Sequence, residues 1–347
     1  MSLENQRQQW LNNVLQHQKH SVIPLAGDAS FRRYSRVHLE TTHFILMDAP
    51  PTQENTAMFL LVAEYLHQHH VRVPKIIAQE PTQGWVLLED FGDDLLSTVL
   101  NANSVEVWYQ RALRTLGVIQ RVPPTQAIPL YSEQLLNNEM ELCPQWFFDQ
   151  LLQRPLNTSE LKIWQQQRDL LTQMALQQPQ VFVHRDYHSR NLLVLPDNDL
   201  GVIDFQDAVY GAVTYDVVSI LKDCYVRWPV HQVQEWAISY YSEILIPFLK
   251  EKNQSIPSQA TFLKWFDWMG IQRHLKVLGI FARLYLRDKK SGYLADLPRV
   301  AEYTLEACRR YPELKPLLNM LEHRIMNEDQ NGYSLQQALH KITQPSK

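Results

Sequence analysis

Between Val181 and Val217 the chain reads VFVHRDYHSRNLLVLPDNDLGVIDFQDAVYGAVTYDV, and a few polar residues in it are spaced for chemistry. An apolar run ends at His184, and Asp186 and Asn191 follow it in a loop. A second apolar run, LGVID, ends at Asp204. The pattern H-R-D-x-x-x-x-N followed by such a carboxylate is one through which phosphoryl transfer is carried out. The first Asp accepts the proton of an attacking hydroxyl, while the Asn and the second Asp hold magnesium. That reaction needs its attacking oxygen positioned and the charge on the β/γ oxygens neutralised. Magnesium takes hard oxygen donors, commonly one or two carboxylates plus substrate phosphates. Loop caps around a hairpin also use His, Asp and Asn, but this spacing between two apolar strands favours the chemistry.

These residues need a scaffold, and the sequence outlines one. Residues 3–20 predict an amphipathic helix with Leu3, Trp10, Leu11, Val14 and Leu15 on one side. β-branched and aromatic residues then bracket a Gly27-Asp28 turn, FILM before Asp48 predicts a buried strand, and a helix follows over about 54–70. KIIAQ and GWVLLED predict two more strands, so the first ninety or so residues are mostly β. Long helices follow at about 104–120, 131–152 and 158–178, then a short β island over 181–204, then helix again from Thr214. The expected fold class is α+β, with domains at 1–90 and 91–347.

Composition bounds the function. The 347 residues are 45% hydrophobic and 20% charged, which suits a chain folding around a real core and excludes disorder or collagen. A net charge of −4 from mixed residues gives no reason to expect nucleic acid or a membrane surface as partner. Cys143, Cys224 and Cys308 are far apart, with neither disulfide nor zinc spacing, and read as free thiols of a cytoplasmic protein. The N-terminus lacks an apolar signal-peptide segment, and no window approaches the ~18 apolar residues of a membrane span. His67, His69 and His70 have no carboxylate or cysteine at ligand spacing, so they are not read as a metal site.

The chain resembles the aminoglycoside-phosphotransferase-like branch of the protein-kinase-like fold. Within it, the similarity is greatest to the anomeric N-acetylmuramate/N-acetylglucosamine kinases of bacterial cell-wall recycling. It rests on GDASFRRYSRV (27–37), LMDAPPTQEN (46–55), LLEDFGD (87–93), ELCPQWF (141–147), VHRDYHSRNLLV (183–194), IDFQDAVYGAVTYDV (203–217), LKDCYVRWP (221–229) and GIQRHLKVLGIFARLYLRD (270–288). The resemblance implies a two-lobed architecture, a small β-rich lobe and a large helical one. It also implies an ATP- and magnesium-dependent kinase of the anomeric hydroxyl of N-acetylmuramic acid and N-acetylglucosamine. Asp186 would be the base, and Asn191 and Asp204 the metal ligands. Gly27, Asp28, Ala29 and Ser30 would cover the phosphates, and the hinge Leu87–Asp90, with Leu88, Glu89 and Asp90, would meet adenine. A nucleotidyltransferase acting on the sugar phosphate would be a natural pathway partner.

Two departures stand out. The phosphate loop has only Gly27 where G-x-G-x-x-G is usual, and the strand that usually carries a phosphate-pairing lysine offers Met47. Glu54 stands where the acidic partner of that lysine is expected, which leaves Arg32 or Arg33 to neutralise phosphate. On the acceptor side, Arg190 and Asp207 lie beside the expected metal residues; either could hydrogen-bond a sugar hydroxyl or a carboxylate, and Arg suits the latter. Glu139, Glu141 and Trp146 are candidates for lining a sugar pocket, and His274 and Lys276 interrupt an apolar helix. Asp216 begins an apolar helix, and the resemblance implies that it braces the catalytic loop. DFQDAVYGAVTYDV enters a helix with neither a long loop nor an A-P-E element, which argues for a small acceptor rather than a protein. Rival readings are a kinase of aminoglycosides or other hydroxylated metabolites, and a nucleotide-binding regulator without catalysis.

Overall fold

The computed structural model describes residues 2–25 and 31–325. The elements in chain order are α1 (Leu3–Val14), β1 (Ser21–Pro24), β2 (Arg33–His38), β3 (His43–Asp48), α2 (Thr56–Gln68), β4 (Ile76–Glu80), β5 (Trp85–Glu89) and α3 (Leu96–Val99). Next come α4 (Val105–Ile119), α5 (Glu133–Met140), a π-helical run (Cys143–Leu151), α6 (Thr158–Leu176), β6 (Gln180–Val183), β7 (Leu192–Val194), β8 (Leu200–Val202) and β9 (Val209–Ala212). The rest is helical: α7 (Tyr215–Leu221), α8 (Val230–Tyr240), α9 (Ile246–Glu251), α10 (Gln259–Leu286), α11 (Leu297–Arg309) and α12 (Lys315–Ile325). Two compact units emerge. One runs to Val99 and takes in Arg190–Asp207; the other comprises Leu100–Ser189 and the chain from Ala208 on. The sequence reading drew its line after Asp90; the contacts divide after Val99 and carry 190–207 into the first unit.

In the first unit an antiparallel sheet of order β1-β2-β3-β5-β4 has two faces of different chemistry. Side chains alternate along a strand, so Val37, Leu46 and Leu87 share one face and pack with Leu11 and Leu15 of the α1 segment. Ser2 caps α1 by accepting from the Asn5 amide, and Arg7 of α1 pairs with Asp48 at 2.6 Å. Tyr34, Met47 and Val86 lie on the opposite face, Tyr34 opposite Met47 and Met47 opposite Val86 in register. Met47 is fully buried. Gly84 has φ +76°, and a Cβ there would lie 1.8 Å from the Ala49 oxygen, so only glycine lets this turn close. The β7–β8 hairpin joins this unit through Val194 N–H to Asp94 O and Val202 N–H to Arg72 O, both 2.8 Å.

The second unit is built on α10, whose 28 residues start from a Ser258 cap. Its core gathers Phe147, Phe148, Trp164, Trp268, Ile271, Leu275 and Leu278 with residues of α11 and α12. Gly279 allows this packing: a Cβ would lie 2.2 Å from the Leu142 carbonyl carbon. The expected β island over 181–204 is two separate pieces. β7 pairs with β8, whereas β6 pairs with β9, a strand that pattern reading missed because VYGA is short and interrupted by glycine. Among the described residues no helix is long and apolar enough to cross a membrane, and all three cysteines are buried free thiols.

Candidate active site

The first unit assembles the residues expected to meet metal and phosphate. β8 delivers Asp204, held at φ +64°, and Asn191 precedes β7. The Ile203 N–H donates to the Asn191 carbonyl at 3.1 Å, fastening the two ends of the hairpin. Asn191 Nδ2 stands 3.4 Å from Asp204 Oδ2, and Gln206 donates to Asp204 Oδ1 at 2.9 Å. Arg32 pairs with Glu54 at 2.8 Å and lies 3.9 Å from Asp204. Burial raises the Tyr34 phenol to about 12, with Arg32 lowering it and Asp204 raising it. One amide and one carboxylate are a donor set that fits magnesium sharing its shell with phosphate and water. Among the described residues no group of three or more His, Cys, Asp or Glu is placed to cage a metal by itself.

The segment expected as the hinge lies in the same unit. Leu88 is buried. Glu89 accepts from Arg72 at 2.9 Å and from the Lys75 amide at 3.2 Å. Asp90 takes a two-pronged contact from Arg36, at 2.6 and 3.2 Å, and accepts from the Gly92 amide. Arg36 also reaches Asp93, so one guanidinium ties β2 to the segment after β5. Below it Phe91 packs with Leu193 and Leu195. Gly201 admits the Phe91 ring, which a Cβ would approach to 2.4 Å. An apolar floor of this kind suits a flat heterocycle.

The second unit holds Asp186 in a loop pinned on both sides. Asp216 accepts from the amides of His184 and Arg185 at 2.6 and 3.1 Å. Asp223 accepts from the Ser189 amide at 2.9 Å and from its hydroxyl at 2.5 Å. Between them Tyr187 donates to the Ala112 carbonyl at 2.8 Å. Arg185 sits at φ +75°, a conformation that such anchoring must maintain. Burial works against the Asp186 charge, but Lys276, His188, Arg273 and Arg185 outweigh it and hold the carboxyl at about 2. Burial instead pushes Asp216 up to about 7, against the pull of its amide donors and Arg273.

Glu139 lies beneath this loop, 6% exposed. It pairs with Lys276 at 3.1 Å and with Arg185, and accepts from the Tyr131 hydroxyl. Burial opposes its charge, yet Lys276 and Arg185 lower its carboxyl below the usual range. Lys276 also donates to Tyr215 at 3.0 Å.

The other expected residues are placed as follows. Gly27, Asp28, Ala29 and Ser30 lie outside the described residues. Arg32, Glu54, Asn191 and Asp204 come together, and Leu88, Glu89 and Asp90, the expected hinge, lie at the end of β5 and just after it in the same unit. Arg190 and Asp207 are exposed in that unit. Arg33 lies opposite Asp48 in register, on the α1 face and away from Glu54. Trp146 packs, half-buried, against the helical core, and Glu141 accepts from Arg168 and Trp164. His274 is buried and donates from Nε2 to the Lys222 carbonyl at 3.0 Å, and burial with Arg273 lowers it to about 3. Sequence reading missed Asp223 and Arg273. The available signals were an Asp closing a buried helix in LKDC and an Arg in the same apolar run as His274 and Lys276.

A family model for the Phosphotransferase enzyme family matches residues 21–250. The chain is 41% identical over 305 residues to an N-acetylmuramate/N-acetylglucosamine kinase of Pseudomonas aeruginosa, covering 86% of this chain and 87% of that one. It is 35% identical over 328 residues to the protein of that name in Neisseria meningitidis, covering 92% and 95%. Among solved structures it is similar to choline kinase LicA from Streptococcus pneumoniae, at TM-score 0.61 and 13% identity over 88% of this chain and 99% of that one. It is also similar to ADP-bound aminoglycoside phosphotransferase APH(2'')-Ib, at TM-score 0.58 and 11% identity over 90% and 98%. The expected α+β, protein-kinase-like fold is therefore the fold observed.

Proposed function

The chain belongs to the Phosphotransferase enzyme family, and from that premise we propose that it phosphorylates the anomeric hydroxyl of N-acetylmuramic acid and N-acetylglucosamine with ATP. The observation that carries this reading is the 35–41% identity to kinases of that name along 87–95% of their length. The site residues supply the mechanism. Asp186, ionised at any working pH, accepts a hydrogen bond from the C1 hydroxyl and orients its oxygen for in-line attack. A carboxyl at about 2 is too weak a base to strip an alcohol beforehand. It therefore takes the proton as the new P–O bond forms and the bond from the γ-phosphorus to the departing ADP breaks, a contribution of roughly 10²–10⁴-fold. The acidity of an anomeric hydroxyl, greater than that of ordinary alcohols, suits so weak a base.

Asn191 and Asp204 are the residues that would hold magnesium, and Leu88, Glu89 and Asp90 would present the hinge to adenine. Magnesium when bound supplies positive charge to the phosphate oxygens. Arg190 and Asp207, both exposed, are assigned to the acceptor's polar groups. Glu139 is assigned to bracing the base through Arg185 and Lys276. The enzyme is proposed to work in the cytoplasm, where its buried thiols stay reduced, and its product to feed a nucleotidyl transfer.

The test is phosphorus NMR of the protein with ATP, magnesium and, separately, each amino sugar and kanamycin. A phosphomonoester coupled to an anomeric proton in the sugar samples is the expected result. Phosphorylation of kanamycin alone overturns the acceptor, and silence with ATP still bound favours the regulator.

A further inference from the structure

The strand lysine that ordinarily pairs with phosphates and with a helix glutamate is absent, but its charge is not. We propose that Arg32, one strand away, carries that charge: its guanidinium, anchored by Glu54, binds the β/γ-phosphate oxygens of the nucleotide.

The geometry is local to the first unit. Arg32 Nη2 meets Glu54 Oε2 at 2.8 Å, with the side chains only 9% and 12% exposed. Nη1 of the same fork lies 3.9 Å from Asp204 Oδ1, the carboxylate assigned to metal. The cation thus spans the acidic anchor and the metal residue, a position in which a phosphate-neutralising group is useful. Met47, at the lysine's place on β3, is fully buried and sits opposite Tyr34, the phenol hydrogen-bonded to Arg32. Met47 therefore supplies apolar support on the face where the usual cation would project. Arg33 cannot substitute, because alternation puts it on the α1 face opposite Asp48.

The M-D-A-P-P-T-Q-E segment gains a purpose from this arrangement. The Gln53 and Glu54 amides both donate to the Pro50 carbonyl at 2.9 Å, and the Ala49 amide donates to Gly84 O at 2.9 Å. The double proline limits this turn's freedom and presents Glu54 just before the Asn55 cap of α2. The anchor therefore belongs to a tight turn rather than to the interior of a helix. An arginine fork suits the relocation, since it can hold a carboxylate on one side and phosphate on the other, which a point-charge ammonium does less well.

The proposal rests on the kinase reading, and its test is arranged to separate the two. MgATP and adenosine binding are measured by calorimetry for wild type, Arg32→Met, Arg32→Lys and Arg33→Met, with kcat alongside. Arg32→Met is expected to weaken MgATP at least tenfold, on the order of one lost charged contact, and to leave adenosine binding unchanged. Its kcat should fall on the order of 10²–10³-fold, with partial recovery in Arg32→Lys. Equal loss in Arg33→Met, or unchanged MgATP affinity in Arg32→Met, overturns the proposal. If Arg32→Met unfolds, Arg32→Met/Glu54→Gln removes both charges and is read in the same way. A wild type that binds MgATP but turns over no amino sugar overturns the acceptor instead, since the binding comparison reads Arg32 without any acceptor.

Discussion

Replacing Glu139 by glutamine removes one negative charge from a buried group of two cations, Lys276 and Arg185. At 3.1 Å and an effective dielectric near 20, the Glu139–Lys276 attraction alone is about 5 kcal/mol. Glutamine keeps a hydrogen-bonding oxygen but not the charge. Breaking one side of a buried pair costs about 3–5 kcal/mol, because the stranded charge stays desolvated. We therefore expect Glu139→Gln to lose about 3–5 kcal/mol of stability. Urea unfolding followed by tryptophan fluorescence is the assay. Apart from Trp10 and Trp85, every tryptophan belongs to the unit that contains Glu139. With a slope of about 2–3 kcal/mol/M the midpoint should fall by roughly 1–2.5 M. Adding Lys276→Met should recover part of the loss, a coupling on the order of 1–3 kcal/mol. A loss under about 1 kcal/mol, or additive single effects, refutes the bracing argument. An increased KM for the sugar with unchanged unfolding would place Glu139 against the acceptor instead.

Four further outcomes are expected. Asp186→Asn should abolish turnover while MgATP affinity, measured by calorimetry, stays within about threefold; turnover within tenfold of wild type removes the base assignment. Asp204→Ala should raise the magnesium concentration needed for half-maximal nucleotide binding, and unchanged dependence in a titration removes its metal role. Asp216 has a folded carboxyl near 7, above the ordinary value near 3.9. The folded state therefore holds the proton more tightly, and wild type loses stability as pH rises from about 4 to 7, on the order of 4 kcal/mol. Urea unfolding of Asp216→Asn at pH 5 and pH 8 should show its deficit relative to wild type shrinking at the higher pH; a constant deficit contradicts the shift. Gly279→Ala places a methyl group against the Leu142 backbone, and overpacking there should cost about 1–3 kcal/mol or more in thermal or urea unfolding.

The H-R-D-x-x-x-x-N motif was legible because its residues lie close together along the chain. A strand end, a short loop and a second strand end set Asp186, Asn191 and Asp204 in order, and their spacing survives in one dimension. Buried strands such as FILM and helices such as α10 were legible for a similar reason, since apolar periodicity is a property of neighbouring residues. The bracing role of Asp216 was open to reading only through the family resemblance, since its place at the start of an apolar helix names no partner. The short strand β9 was not, because VYGA pairs with β6 across a long separation and its glycine weakens the pattern.

What only the tertiary structure decided is how distant charges are matched. Composition shows the arginines and carboxylates but not their partners. Arg32 finds Glu54 and Asp204, Arg36 finds Asp90 and Asp93, Glu139 finds Arg185 and Lys276, and Ser189 finds Asp223. The register of β2 on β3 puts Arg33 opposite Asp48 on the α1 face, whereas Arg32, just before the strand, meets Glu54. Burial then changes the chemistry, as with an Asp186 held ionised by cations and an Asp216 pushed toward neutrality. The sequence by itself determined which groups could carry out phosphoryl transfer. The fold decided which charges face them, because Coulomb interactions and desolvation depend on distances through space and not along the chain.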